Sequence, residues 1–166
     1  MSDPAVSAKA STKSPDTLIE WSSELSIGIE EIDSQHKVLV DLLNQLHAAI
    51  LHHHGSQETL HVLDELVDYT RIHFAVEESL LRILDYPDYE SHKAKHEKLI
   101  EQVQQFRQRL TEQGRASTFE LLHFLKQWLT VHILESDREY TTHLLARGVR
   151  ARYEKPSLLA RLWGRH

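Results

Sequence analysis

The stretch HFAVE at residues 73–77 sets His73 and Glu77 one helical turn apart within an apolar stripe. Buried there without partners, an imidazole and a carboxylate would each carry a large desolvation cost. Three further stretches carry the same residue types: DSQH ends on His36, HKAKH holds His92 and His96 four apart, and HILESD opens on His132. Imidazole and carboxylate together are a ligand set for a metal ion. The chain has 13 histidines, no cysteine and one methionine. A thiolate site and a disulfide framework are therefore excluded, and copper(I) is disfavoured.

These residues act together only if the fold brings them to one place. With 40% hydrophobic residues, 5 glycines and 4 prolines in 166 residues, and abundant Leu, Glu, Gln, Lys and Arg, the chain reads as one all-α domain with room for a core. Apolar residues at alternating spacings of three and four predict four helices, over about 33–54, 57–84, 89–113 and 117–147. Asp33 or Ser34 is the expected N-cap of the first. Gly55, the DYPDY turn with Pro87, Gly114 and Gly148 punctuate them. Connections this short make sequential helices antiparallel neighbours, an up-down-up-down four-helix bundle.

Counted from the end of the bundle holding the turns near 55 and 115, His36, His73, Glu77, His92, His96 and His132 all fall 17 to 23 residues away. At about 1.5 Å per residue that is a slab roughly 9 Å thick. Five imidazoles at one level would need five separate acceptors in an apolar interior, whereas a metal takes their lone pairs together. Five histidines and a glutamate exceed the four ligands of a tetrahedral zinc site, so two ions fit better than one. The residue types leave iron, copper, nickel and zinc open.

DSQH at 33–36, HFAVE at 73–77, HKAKH at 92–96 and HILESD at 132–137, in this order, resemble the hemerythrins of bacteria over about residues 18–145. The lead-in EWSSELSIGIEEIDSQHK is similar to that family's arm before its first helix. The resemblance implies a cofactor of two iron ions with an oxo or hydroxo bridge. It implies that His92, His96 and His132 bind one iron, that His36 and His73 bind the other, and that Glu77 and Asp137 bridge both. One coordination position is then left open on the two-histidine iron, where the family binds O2 reversibly. Helix periodicity by itself favours Glu135, because Asp137 lies about 140° around a straight helix from His132. Assigning Asp137 therefore carries the expectation of a locally widened turn. By the same resemblance Trp128 and Leu129 wall the open position, with Phe74 helping; ordinary core packing is the other reading of these three.

The expected function is O2 storage, transport or delivery to an oxygen-consuming enzyme, by a protein that is not itself an enzyme. The alternatives are an oxygen or iron sensor module, or a di-iron enzyme acting on peroxide or nitric oxide. Against an oxidase, Glu-x-x-His pairs such as Glu58 and His61 lie far from the histidine layer. The domain expectation is a disordered tail over 1–15, a bundle over 16–148 and a basic extension over 149–166. Six basic residues against Glu154 make segment 147–166 +5, which leaves −11 of the net −6 to the remainder. That acidic body argues against nucleic acid. Segment 156–166, with Leu158, Leu159, Leu162 and Trp163 among arginines, either packs back on the bundle or docks on an anionic membrane surface or partner. With neither a long apolar run nor a signal-like leader, a cytoplasmic location is expected. His47, His61, His123 and His143 lie off the seams, and the run His52, His53, His54 reads as a solvated helix end.

Overall fold

The computed structural model describes residues 14–114 and 118–149. The expected tail, save its last two residues, and the basic extension beyond 149, including the docking segment 156–166, lie outside these. Four helical segments surround one core: α1 (Glu30–Leu51), α2 (Ser56–Ile83), α3 (Tyr89–Gln113) and α4 (Thr118–Val131). A π-helical turn (His132–Asp137) then joins α4 to α5 (Arg138–Ala146), which continues the fourth rod. Helix α1 packs on α2 and α4, and α3 packs on α2 and α4, closing the ring of an antiparallel bundle. Among the described residues there is no strand, and no helix is long and apolar enough to cross a membrane.

The second and third helices begin and end within a residue of the expected positions, while the first starts at Glu30 rather than at Asp33. The reason lies in the arm. Asp33 does not cap the helix; its carboxylate accepts a hydrogen bond from the Ile27 amide at 2.8 Å and one from the Ser26 hydroxyl at 2.5 Å. Gly28, with φ +84, lets the chain turn into α1, and Glu30, Glu31 and Asp33 complement the positive end of the helix dipole. Further back, Asn44 clamps the arm by accepting from the Leu18 and Ile19 amides and donating to the Ile19 carbonyl. A short 3-10 turn, Ser23–Leu25, lies against the π turn, where the Arg138 guanidinium donates to the Glu24 carbonyl.

The core has two apolar segments. Towards the first and third turns, Leu39, Leu43, Leu46, Leu63, Leu99 and Leu121 are buried; towards the second turn, Ile32, Leu81, Ile133, Tyr140 and Leu144 are fully enclosed. Each such aliphatic side chain contributes about 1.5–3 kcal/mol on burial. Between the two segments lies a buried layer of polar side chains.

Candidate metal centre

Each rod of the bundle delivers part of the layer. α1 contributes His36, α2 His73 and Glu77, α3 His92 and His96, and the fourth rod His132 and Asp137, all at most 5% exposed. On α2 and α3 the pairs are four residues apart, so an ordinary helix presents both members on one face. The fourth rod differs. Its apolar seam runs through Leu121, Leu125 and His132, then continues through Ile133, Asp137, Tyr140 and Leu144, one residue later. The π turn absorbs that extra residue and swings Asp137, five positions from His132, to the inside. Glu135 and Glu139, which straight periodicity places on the seam, are exposed.

The donor atoms fall into two groups that share both carboxylates. One comprises Glu77, His92, His96, His132 and Asp137; the other His36, His73, Glu77 and Asp137. Asp137 Oδ1 lies 2.9 Å from His132 Nε2, while its Oδ2 lies 3.1 Å from His36 Nε2. Glu77 Oε1 contacts His92 Nε2, and its Oε2 lies 3.0 Å from His73 Nε2. Each carboxylate thus turns one oxygen to each group. His96 Nε2 and His132 Nε2 face one another at 3.0 Å. Neighbouring ligands on an octahedron with bonds of about 2.1 Å are about 3.0 Å apart, so these spacings suit atoms converging on a common ion.

The polar atoms left over test the fit. Both ring nitrogens of His36, Glu77 Oε2 and both Asp137 oxygens are buried without a hydrogen-bond partner of proper geometry. Orphans at this density are costly in a folded interior, and cations between the two groups would satisfy all but His36 Nδ1, which faces away. The donor chemistry, neutral imidazole with carboxylate, also suits iron.

The electrostatics agree. Burial pushes the Glu77 carboxyl up, but the His73 ring against it, the hydrogen bond from His92 and the nearby His96 outweigh it and hold the group well below the usual range. Asp137 is raised by burial and by Glu77, yet His132 and His36 bring it below its ordinary value. Burial drives His96 down to about 3, which keeps its imidazole neutral. His92 is also opposed by burial, but contact with Glu77 and the charge of Asp137 raise its affinity for a proton.

Three supporting residues were not among those the sequence singled out. Gln35 Oε1 lies 2.6 Å from His73 Nδ1, and Glu78 Oε1 lies 2.8 Å from His96 Nδ1. Each accepts the outer N–H and leaves Nε2 as the inward donor. Tyr140 is fully buried with its hydroxyl unpartnered, and burial followed by the charges of Glu77 and Asp137 drives its pKa far up. Gln35 and Glu78 each sit one residue off a seam, towards the neighbouring helix; that adjacency to His36 and Glu77 was the available signal.

One turn from the layer lies an apolar cavity of about 30 Å³, lined among others by Leu39, Thr70, Leu99, Trp128 and Leu129. Leu39, Thr70, Leu99 and Leu129 each stand three residues from a histidine of the layer, all on the same side. Thr70 donates its hydroxyl to the Leu66 carbonyl at 2.7 Å, so the wall offers little to water. Trp128 stacks on His132 with ring centroids 4.6 Å apart. Phe74, grouped with Trp128 and Leu129 from the sequence, stacks on His96 at 3.6 Å and does not line this cavity. The off-seam histidines do other work: His47 and His52 contact Asp16 of the arm, and His143 Nε2 donates to the Leu84 carbonyl.

Known proteins are similar to this chain in sequence and in fold. The sequence model of the Hemerythrin HHE cation binding domain matches residues 27–144. A bacteriohemerythrin of Stenotrophomonas maltophilia (strain R551-3) is 38% identical over 129 residues, covering 78% of this chain and 83% of that protein. A hemerythrin-like protein of Naegleria gruberi is 33% identical over 120 residues, covering 72% and 88%. A crystal structure of wild-type hemerythrin superposes with a TM-score of 0.68 at 29% identity, covering 76% of this chain and 98% of that one.

Proposed function

The chain belongs to the hemerythrin family, and from that premise we propose that its buried layer holds two iron ions and binds O2 reversibly, without acting as an enzyme. His92, His96 and His132 would hold one ion and His36 and His73 the other, with Glu77 and Asp137 shared. Such a pair, with an oxo or hydroxo bridge, would supply reversible O2 binding. The protein's own residues do the rest. Gln35 and Glu78 fix the tautomers of His73 and His96. Leu129, 6% exposed, and Trp128 wall the cavity against water and protons.

The observation that carries the O2 reading is the cavity. It is small, apolar and one turn from the histidines, which suits a neutral diatomic and disfavours water or a charged substrate. Delivery to an oxygen-consuming enzyme or an anionic membrane, by way of 156–166, would rest on residues outside those described.

The test is reconstitution with iron(II) under argon, an iron count, and repeated cycling between air and argon followed by optical absorption. Two irons per chain and a band that appears in air and vanishes under argon are expected. A chain that takes up no iron, or that oxidises in air without a reversible stage, would overturn the reading.

A further inference from the structure

The two outer hydrogen bonds of the layer differ in charge. On α2, Glu78 presents a carboxylate oxygen to His96 Nδ1 at 2.8 Å; on α1, Gln35 presents a neutral amide oxygen to His73 Nδ1 at 2.6 Å. The geometry is otherwise alike: both histidines are 1% exposed, and both turn Nε2 to the shared carboxylate Glu77. An Nδ1–H given to a carboxylate lends the ring imidazolate character, strengthening Nε2 as a donor and favouring a more highly charged ion. An amide oxygen does this far less.

We propose that Glu78 and Gln35 are positioning residues that make the two metal positions unequal. The ion on His92, His96 and His132 is then oxidised first and reduced last, and ferrous character is kept on the ion of His36 and His73. This inference rests on the di-iron reading above, and it gives that reading a direction: the ion kept reduced is the one assigned the open position. The extra histidine on the Glu78 side pulls the same way, so the contribution of the outer partners has to be isolated by exchanging them. Glu78 suits this, because its side chain is 20% exposed and Glu78→Gln keeps its size without cutting into the core.

The experiment uses the full chain loaded with iron(II), with iron counted and helicity checked by circular dichroism. A mediated redox titration is followed by optical absorption and by electron paramagnetic resonance of the half-reduced state. Glu78→Gln should lower the ferric-to-ferrous ratio of the first-oxidised ion about tenfold at fixed poise, equivalent to about 59 mV for one electron. Gln35→Glu should shift the other ion in the opposite direction, and the double exchange should alter which ion the half-reduced signal reports. Glu78→Asp, which keeps the charge, should stay near wild type. Potentials of Glu78→Gln within threefold of wild type at full iron content would overturn the inference and leave the O2 reading standing. So would Glu78→Asp displaced as far as Glu78→Gln, because geometry rather than charge would then be responsible. A wild-type chain that takes up no iron overturns both.

Discussion

At the scale of single residues, the centre rests on groups that are costly to bury and that share their cost. Asp137 is the sharpest case. It is fully enclosed, with one oxygen towards each donor group, whereas Glu135, two residues earlier, faces solvent. Asp137→Ala is expected to weaken iron binding by about 100-fold or more, since even outer partners are worth about 10- to 100-fold. Glu135→Ala should leave the iron count unchanged; iron analysis after dialysis against a mild chelator separates the two, and loss in the Glu135 variant alone would reverse the assignment. Leu129 tests the cavity wall. Leu129→Ala removes a buried side chain at a cost of about 2–5 kcal/mol and admits water beside the layer. Its oxygenated form is expected to convert to the oxidised form faster than wild type, measured as the decay of the oxygenated band. An unchanged decay at matched iron content would remove Leu129 from the wall.

At the scale of elements, what positions the site divides into a part that periodicity reveals and a part that packing decides. The layer was legible because distance along a straight helix is set by residue count, so His36, His73, Glu77, His92, His96 and His132 had to meet once the turns were placed. Asp137 was not legible from periodicity, because the six-residue π turn breaks the rule by which the seam was drawn; only the resemblance to a family pointed to it. Gln35 and Glu78 escaped because seam counting ignores the flanks, where neighbouring helices touch. The start of α1 was misplaced because Asp33 looks like a cap by type but is taken by Ser26 and Ile27 of the arm. The π turn itself can be tested. Deleting Glu135 would leave His132 and Asp137 four apart, the spacing an α-helix needs, while Tyr140 and Leu144 keep their distance from Asp137. Such a chain is expected to retain its iron and to gain roughly 0.5–1.5 kcal/mol from a recovered helical hydrogen bond. Loss of iron on deletion would show that the wide turn, and not merely the inward face, is needed to aim the carboxylate.

At the scale of the whole molecule, the polar layer splits the core into two apolar segments, so the bundle's stability depends on what neutralises that layer. Without metal the charges do so among themselves. Glu77 and Asp137 are held below their ordinary pKa values, so the stability they contribute is present above the unfolded values of about 4.3 and 3.9 and is lost as pH falls through the folded ones. His92 is raised, so its contribution is present below the unfolded value of about 6.5 and is lost as pH rises through the folded one. His96 is held down to about 3, so the stability that goes with its neutral ring is present above the unfolded value of about 6.5 and is lost as pH falls below it; the metal-free chain is therefore expected to be most stable near pH 6.5. Iron requires the same imidazoles to be free of protons, so its contribution grows in the opposite sense as pH rises. With free iron(II) about 100-fold above Kd, binding adds about 2.7 kcal/mol, which for a domain of this size raises Tm by roughly 5–10 °C. Calorimetry of the loaded and metal-free protein should therefore find the larger difference in Tm at about pH 7.5 and a smaller one at about pH 5. A difference that is constant with pH, or greatest in acid, would mean that the metal binds somewhere other than among His92 and its neighbours.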